Sequence, residues 1–407
     1  MRNIRELHSA SLALVTIVLF LILISSTASA SITETRISTH GTADVPKMYG
    51  NIIVWQDDRN GDWAIYTLNL STKKETRITT HGKAACEPDI YGNRIVWLDK
   101  RNADIDNENW DVYMYDLSTK KETRISYSEK AEWPASIYGN RIVWQDTRNG
   151  NRDIYIYDLS KKKETQITTS GEAFEPAIYG DKIVWRDFSN NADIHMYDLS
   201  TKKETQISHS GSAYNPKIYG NRIVWLDSRK GWDNWDIYMY DLSKKKETQI
   251  TTNPSDSKFP VIYGNNIVWT DERNGNWDIY AYDLVTHQQI HTTEKSDQEE
   301  PAIYDNKIVW VDHSNGKSDI YMGTISYLPV AAFTASPSSG TRPLNVKFAD
   351  KSKDVYRWYW DFGDKTTSQL QNPIHKYAKA GKYTVTLKVK NAAGSNTVKK
   401  TNYINVK

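Results

Sequence analysis

Apolar and polar residues alternate with a period of two along most of the chain, and the same four segments return in the same order: "PxIY", "RIVWxD", "DIYMYDL" and "KKETQIT". That periodicity belongs to strands that bury one face, not to helices. Gly-Asn, Arg-Asn-Gly and Ser-Thr-Lys-Lys separate the segments, and these residues supply the backbone freedom of tight turns. An apolar pair leads into tryptophan seven times, at Trp55, Trp97, Trp144, Trp185, Trp225, Trp269 and Trp310, at intervals of 42, 47, 41, 40, 44 and 41 residues. A four-stranded unit recurring every 40 to 45 residues or so predicts the blades of a β-propeller, with strands A to D in each.

The seventh unit stops early, because Asp319-Ile320-Tyr321 runs into Ser326-Tyr327-Leu328-Pro329 without a "KETQI" segment. A matching segment, "TETRIS" from Thr33 to Ser38, stands before the first strand A. The N-terminus is therefore expected to supply the last outer strand and close the ring, which leaves no gap of unpaired edges.

Composition fits this picture. Aromatic residues make up 12% of the chain, with 26 Tyr and 15 Trp, enough for substantial cores. Cys86 is the only cysteine, so packing and sheet closure, not internal disulfides, must hold the fold. At the start, Arg2 and Arg5 precede an apolar run from Leu12 to Ile24, and Ala28-Ser29-Ala30 follows. This is the pattern of a cleaved secretory signal; the alternative is a retained anchor, for which 13 apolar residues fall short of the roughly 20 that span a bilayer. The net charge of +2 falls to +1 once Arg2, Arg5 and Glu6 are removed. A nucleic-acid binder would carry a concentrated basic surface, so no such partner is expected.

The unit "EPAIYGDKIVWRDFSNNADIHMYDLSTKKETQIS" is similar to the TolB-like, WD40-like (YVTN-type) propeller repeats, especially those of archaeal cell-surface proteins, over about residues 33 to 325. Further on, Trp360-Asp361-Phe362-Gly363-Asp364, then Asn372-Pro373-x-His375-x-Tyr377, then Gly381-x-Tyr383 resemble a PKD domain, an immunoglobulin-like β-sandwich. Lys365 stands where that family usually has a second glycine, so the turn after Asp364 is expected to differ. The resemblance implies a spacer or adhesive role for this module. The expected fold class is all-β, a seven-bladed propeller closed by an N-terminal strand plus a C-terminal sandwich. The expected divisions are 1–30 (signal), 31–325 (propeller), 326–330 (linker) and 331–407 (PKD).

Strands alternate in direction, so the D-to-A and B-to-C connections share one face. The A-to-B and C-to-D turns, nearly identical from unit to unit, share the other. Variation within a repeated scaffold marks the face open to specialisation. Before the proline of strand A stand Val45, Glu87, Trp133, Glu175, Asn215, Phe259 and Glu300, with Glu132, Phe174, Tyr214 and Glu299 beside them. The candidate ligand site at the channel mouth is Glu87, Glu132, Trp133, Phe174, Glu175, Tyr214, Phe259, Glu299 and Glu300. Aromatics mixed with carboxylates suit sugars and equally suit basic peptides; alternatively the rings pack between blades and the acids are solvated.

The longest B-to-C loop offers Asp104, Asp106 and Glu108 as oxygen ligands for Ca²⁺, the one cofactor considered, although it lacks the glycine and distant glutamate of an EF-hand. The alternative is a polar hairpin tip. Lysine pairs in the C-to-D turns, such as Lys73-Lys74 and Lys120-Lys121, are either solvated or a rim for anionic polymers. Asn69 begins a glycosylation sequon. His40, His81 and His209 are single, and no Gly-x-Ser-x-Gly, His-Glu-x-x-His or phosphate loop is present. A lyase of the oligogalacturonate type, related by fold, would need a histidine cluster that this sequence does not show.

The expectation is an exported, non-enzymatic cell-surface or envelope protein. It would bind a carbohydrate or protein through the variable face and have no transmembrane span after signal cleavage. The alternatives are a secreted enzyme acting on polysaccharide or peptide at the channel mouth, or an envelope component without a discrete ligand.

Overall fold

The computed structural model describes residues 30–407 apart from 81–83, 103–109, 129, 190, 232–233 and 294. Among the described residues seven four-stranded antiparallel sheets account for the N-terminal three-quarters of the chain. In blade one, strand A is Ala43–Tyr49, B Ile52–Asp57, C Ala64–Asn69 and D Lys74–Arg77. The next five blades repeat that order. In blade seven, Gln298–Tyr304, Lys307–Asp312 and Asp319–Ser326 form A to C, and Ser31–Arg36 from the N-terminus is the fourth strand.

Period-two alternation puts one apolar row of each blade against the next blade. Trp97 of blade two packs with Val54 and Ile65 of blade one, and Trp225 of blade five with Val184 and Ile194 of blade four. All seven of these tryptophans are fully buried. The indole N–H of Trp97 donates to Asp99 Oδ2 at 3.0 Å, and the other carboxylate oxygen accepts the backbone N–H of Arg101 at 2.9 Å. In blades one to six the Asp two residues after the tryptophan therefore joins the buried indole to the loop that follows, whereas in blade seven the Trp310 indole N–H has no partner and Asp312 instead accepts from Ser296 and Gln298. Arg59, Arg101, Arg148, Arg229 and Arg273 fold back over the strand C tyrosine at 4.0 to 4.3 Å.

A second polar contact ties strand D to the start of strand C. Thr168 Oγ1 donates to Asp153 Oδ1 at 2.9 Å and accepts the Ile154 N–H at 2.9 Å. The closing segment reproduces it: Ser38 Oγ donates to Asp319 Oδ1 at 2.9 Å and accepts the Ile320 N–H at 2.9 Å. Ring closure thus uses the same contact as an internal blade, across 281 residues of chain.

The C-terminal module packs a three-stranded sheet on a five-stranded one around Phe333, Phe348, Trp360, Phe362, Tyr377 and Leu387. The quoted motif explains itself here. His375 stacks on Phe362 at 4.2 Å and pairs with Asp364 at 2.7 Å, and the Tyr377 hydroxyl donates to the Phe362 carbonyl at 3.0 Å. Lys365 keeps the left-handed turn with φ +74° despite its side chain. Gln288 clasps the connecting segment, its Nε2 donating to the Leu328 carbonyl at 2.8 Å and its Oε1 accepting the Leu328 N–H at 3.1 Å.

Candidate functional site

Each strand A enters the channel from the D-to-A loop and meets a proline, which has no N–H for the ladder. The strand bulges at that point: pairing to strand B slips between Asp44 and Lys47, between Cys86 and Asp89, and at the equivalent place in the other blades. The residue before the proline takes up the bulge in a left-handed conformation, with φ +46° at Val45, +52° at Glu87, +55° at Glu175, +50° at Asn215, +51° at Phe259 and +53° at Glu300. For a residue with a Cβ that conformation costs about 1–2 kcal/mol, and glycine escapes most of it. None of the six is glycine.

Side-chain oxygens of the preceding blade hold the backbone of three of these residues. Glu87 N–H donates to Gln56 Oε1 at 2.8 Å, Glu175 N–H to Gln145 Oε1 at 3.2 Å, and Asn215 N–H to Glu175 Oε2 at 2.7 Å. The first residue of strand A donates to the residue preceding strand C of the previous blade, as in Ala85 N–H to Trp63 O at 2.9 Å and Ala131 N–H to Trp110 O at 3.1 Å. These bonds place Trp63, Trp110, Trp235 and Trp277 at the seams on the mouth face.

The result is a cavity of about 990 Å³ at the mouth end of the channel. Glu87, Phe174, Glu175, Phe259 and Glu300 line it, together with Lys47, Asp89, Lys217 and Trp110. Tyr214 and Glu299, expected beside them, are turned away. The Tyr214 ring packs edge-on to Trp235 at 4.9 Å and under the Arg186 guanidinium at 4.5 Å, and Glu299 lies 3.7 Å from His313 Nε2. Phe174 shares their register and does line the cavity, so these contacts, and not strand alternation, turn Tyr214 and Glu299 toward the neighbouring loop. Glu132 and Trp133 belong to strand A of blade three, but their side chains, like Asp104, Asp106, Glu108 and His81, lie outside the described residues. Asn69 Oδ1 accepts the N–H groups of Ser71 at 2.9 Å and Thr72 at 3.1 Å, so its side chain caps the turn that follows.

The charges are divided. Blades seven, one and two bring together Glu300, Asp44, Glu87 and Asp89, with Lys47 as their cation. Burial first, then the Asp44 charge, lifts the Glu300 carboxyl to about 7, and burial also raises Glu87 and Asp89. Asp89 is raised even though it accepts the Ile137 N–H at 2.9 Å and the Ser136 hydroxyl at 3.1 Å. Across the mouth, blades three to six present cations on aromatic rings. Arg186 sits within 4.3 Å of Phe188 and 5.1 Å of Phe174, Arg152 within 5.1 Å of Phe174, and Lys258 within 4.1 Å of Trp277. Lys217 Nζ donates to Asn215 Oδ1 at 2.6 Å, and burial lowers this lysine to about 8.

The opposite end is uniform. Tyr49, Tyr91, Tyr138, Tyr179, Tyr219, Tyr263 and Tyr304 form an unbroken circle with ring centroids 4.6 to 4.9 Å apart. Their hydroxyls interact with one another; burial, then the neighbouring phenols, pushes Tyr49 up to about 12. The cavity wall ends at Met48, Ile178, Ile218, Ile262 and Ile303, each one residue short of this circle.

Lys47, Asp89 and Lys217 were not singled out from sequence, although the position after the proline varies as freely as the one before it. Nor were Trp110 and Trp277, whose signal is a tryptophan before strand C in some units and Arg152, Ala192 or Ser318 in others. Among the described residues no three His, Cys, Asp or Glu side chains are grouped to hold a metal ion. None of the described helices is long and apolar enough to cross a membrane.

Comparison with known proteins agrees with this architecture. The PKD domain family model matches residues 328–406. Collagenase ColA of Bacillus cereus is 41% identical over 64 residues, which are 16% of this chain and 6% of that protein, so the chain spans only a small part of that relative. Oligogalacturonate lyase from Vibrio parahaemolyticus superposes with a TM-score of 0.56 at 14% identity, covering 74% of this chain and 96% of that one. The propeller domain of the Trilobed protease from Pyrococcus furiosus gives 0.56 at 15% identity, covering 70% and 94%. Identities this low show the β-propeller fold and nothing finer. The Pyrococcus domain is described as having an open velcro topology, whereas here Ser31–Arg36 completes blade seven.

Proposed function

We propose that this chain is an exported, non-enzymatic protein of the cell surface or envelope that binds a carbohydrate or protein at the channel mouth, with the PKD module as spacer or adhesive element. The observation that carries the proposal is the ring of left-handed, side-chain-bearing residues before the prolines. A plain scaffold is best served by glycine at each bulge, and the same residue would suit every blade. Here the positions hold Val, Glu, Asn and Phe at a local cost, and strain retained at one rim is a mark of function. The mixed lining of rings, carboxylates and lysines suits a ligand with apolar faces and polar edges.

The second reading, a secreted enzyme on polysaccharide or peptide, is favoured by Glu300 at about 7 and Lys217 at about 8 in one cavity. Groups titrating near neutrality in a cleft serve proton transfer. A glycan-array and envelope-extract screen separates the two when each bound ligand is also checked for chemical change. Binding that is intact in wild type and lost in a folded Trp110→Ala, Phe174→Ala, Phe259→Ala triple variant, without turnover, is the expected result. Turnover abolished by Glu300→Gln would establish the enzyme, and undiminished binding in the triple variant would remove the mouth from consideration.

A further inference from the structure

The face opposite the mouth carries a second cleft, of about 460 Å³, between the turns of blades six and seven and the C-terminal module. Asp283, Asp305, Asn266, Tyr327, Asp354 and Asn391 line it. The module is pinned at its edges: Lys353 Nζ donates to the Val285 carbonyl at 3.0 Å, and Asn391 Nδ2 donates to the Tyr327 carbonyl at 2.8 Å. These contacts bring the left-handed Asp354, φ +54°, to the ring. Asp283 already accepts the N–H groups of Val285 at 2.6 Å and Thr286 at 2.9 Å through one carboxylate oxygen, which leaves the second for the cleft.

Two polar atoms at this place have no partner. Asn266 Oδ1 and the Tyr327 hydroxyl are both buried without a hydrogen bond, and Tyr327 as a residue is only 8% exposed. A buried polar group left unpaired costs about 1–3 kcal/mol, so two of them beside two carboxylates mark a site built for something that accepts electron pairs.

We infer that this cleft binds a hard divalent cation, Ca²⁺ by its donor set, held between Asp283 and Asn266 of the ring and Asp354 and Tyr327 of the segment beyond it. Every one of these side chains offers oxygen and none offers imidazole or thiolate, which sets the site apart from those of zinc or copper. Calcium accepts six to eight oxygens in irregular geometry, whereas magnesium demands a rigid octahedron. The ion neutralises both carboxylates, satisfies the two orphaned atoms and joins the module to the ring on the side away from the mouth.

The test uses the full exported chain stripped with chelator and titrated with Ca²⁺ by calorimetry, with Tb³⁺ luminescence as a second probe. A saturable site with a Kd of about 10⁻⁴–10⁻³ M, the range of extracellular modules, is expected. Asp354→Asn, which tolerates the left-handed backbone, should weaken it at least tenfold. Tyr327→Phe, which keeps the ring packing, should weaken it severalfold. Small-angle scattering should show the particle lengthening on chelation in wild type only. The inference is overturned if no saturable binding occurs, or if Asp354→Asn binds as wild type does while an Asp104→Asn, Asp106→Asn variant loses the ion. A mouth ligand that still binds to Asp354→Asn keeps this test separate from the proposed function.

Discussion

Replacing Glu300 by Gln should stabilise the ring at pH 8 and do little at pH 5. The carboxyl is lifted from 4.5 to about 7, by burial first and by Asp44 next, with Glu87 and Glu299 adding to the effect and Lys47 opposing it. Between those two values the folded protein holds a proton that the unfolded chain releases. The contribution of this group to stability is therefore complete below pH 4.5 and is lost as the pH rises through about 7. Each unit is worth 1.36 kcal/mol, so at pH 8 the buried charge costs at most about 3 kcal/mol. Gln retains the shape and the left-handed backbone and removes the charge. For a ring of about 300 residues, an unfolding entropy of about 2.1 cal/mol/K per residue converts that ceiling into a rise in Tm of about 5 °C. Thermal melts of wild type and Glu300→Gln at pH 5 and pH 8 would check it. A difference in Tm that is equal at the two pH values, or a variant less stable at pH 8, would refute the claim that Glu300 is charged against its surroundings.

Ser38→Ala should cost about 1–3 kcal/mol, because it strips the side-chain partner from the buried Ile320 N–H and leaves Asp319 Oδ1 with only the Gly41 N–H; a loss under about 0.5 kcal/mol in urea denaturation would mean that this closing contact adds nothing to the ring. Lys217→Met should stabilise at pH 7 and progressively less toward pH 10, since a lysine lowered to about 8 contributes fully above pH 10.5 and loses that contribution as the pH falls through about 8. A pH-independent effect on Tm would show that the Lys217 ammonium is well solvated.

The architecture was legible because each blade needs the same few contacts and the sequence states them seven times. Tryptophan two residues before aspartate is one buried indole and, in six of the seven blades, its acceptor, and "TETRIS" ahead of the first strand A could only complete a blade that lacked its last strand. What stayed hidden depends on the radius of the ring. A tyrosine ends every strand A, but that seven of them touch in one circle follows from how closely seven inner strands approach. The left-handed bulge was hidden for a different reason: the proline was visible, yet a slip in pairing with strand B cannot be seen in strand A alone. The slip is the same in blades four, five and seven, so which of two adjacent residues faces the cavity is decided by the contacts each side chain finds. Phe174 and Glu175 both line it, whereas of Tyr214 and Asn215, and of Glu299 and Glu300, only the second does. The pairing of Lys47, Asp89 and Lys217 with the mouth acids arises across blades that are far apart in sequence, so spacing could not reveal it.

The two ends of the channel impose different rules on substitution, and this difference supports the proposal of recognition at the mouth. At the tyrosine end each ring touches two neighbours and its hydroxyl interacts with theirs, so altering one blade disturbs three. The circle also bounds the cavity, which ends one residue before it, so a ligand approaches from the other side. At the mouth the Glu87, Glu175 and Asn215 N–H groups are held by side-chain oxygens of the preceding blade, so the donor residue's own side chain is free to vary while the acceptors Gln56, Gln145 and Glu175 are not. The mouth acids gather on blades seven, one and two around Lys47, and most cation-capped rings lie on blades three to six beside Glu175, an asymmetry that ring closure does not require. Under the proposed function, a ligand with charged groups of both signs would be oriented by this uneven distribution before it is held by contact.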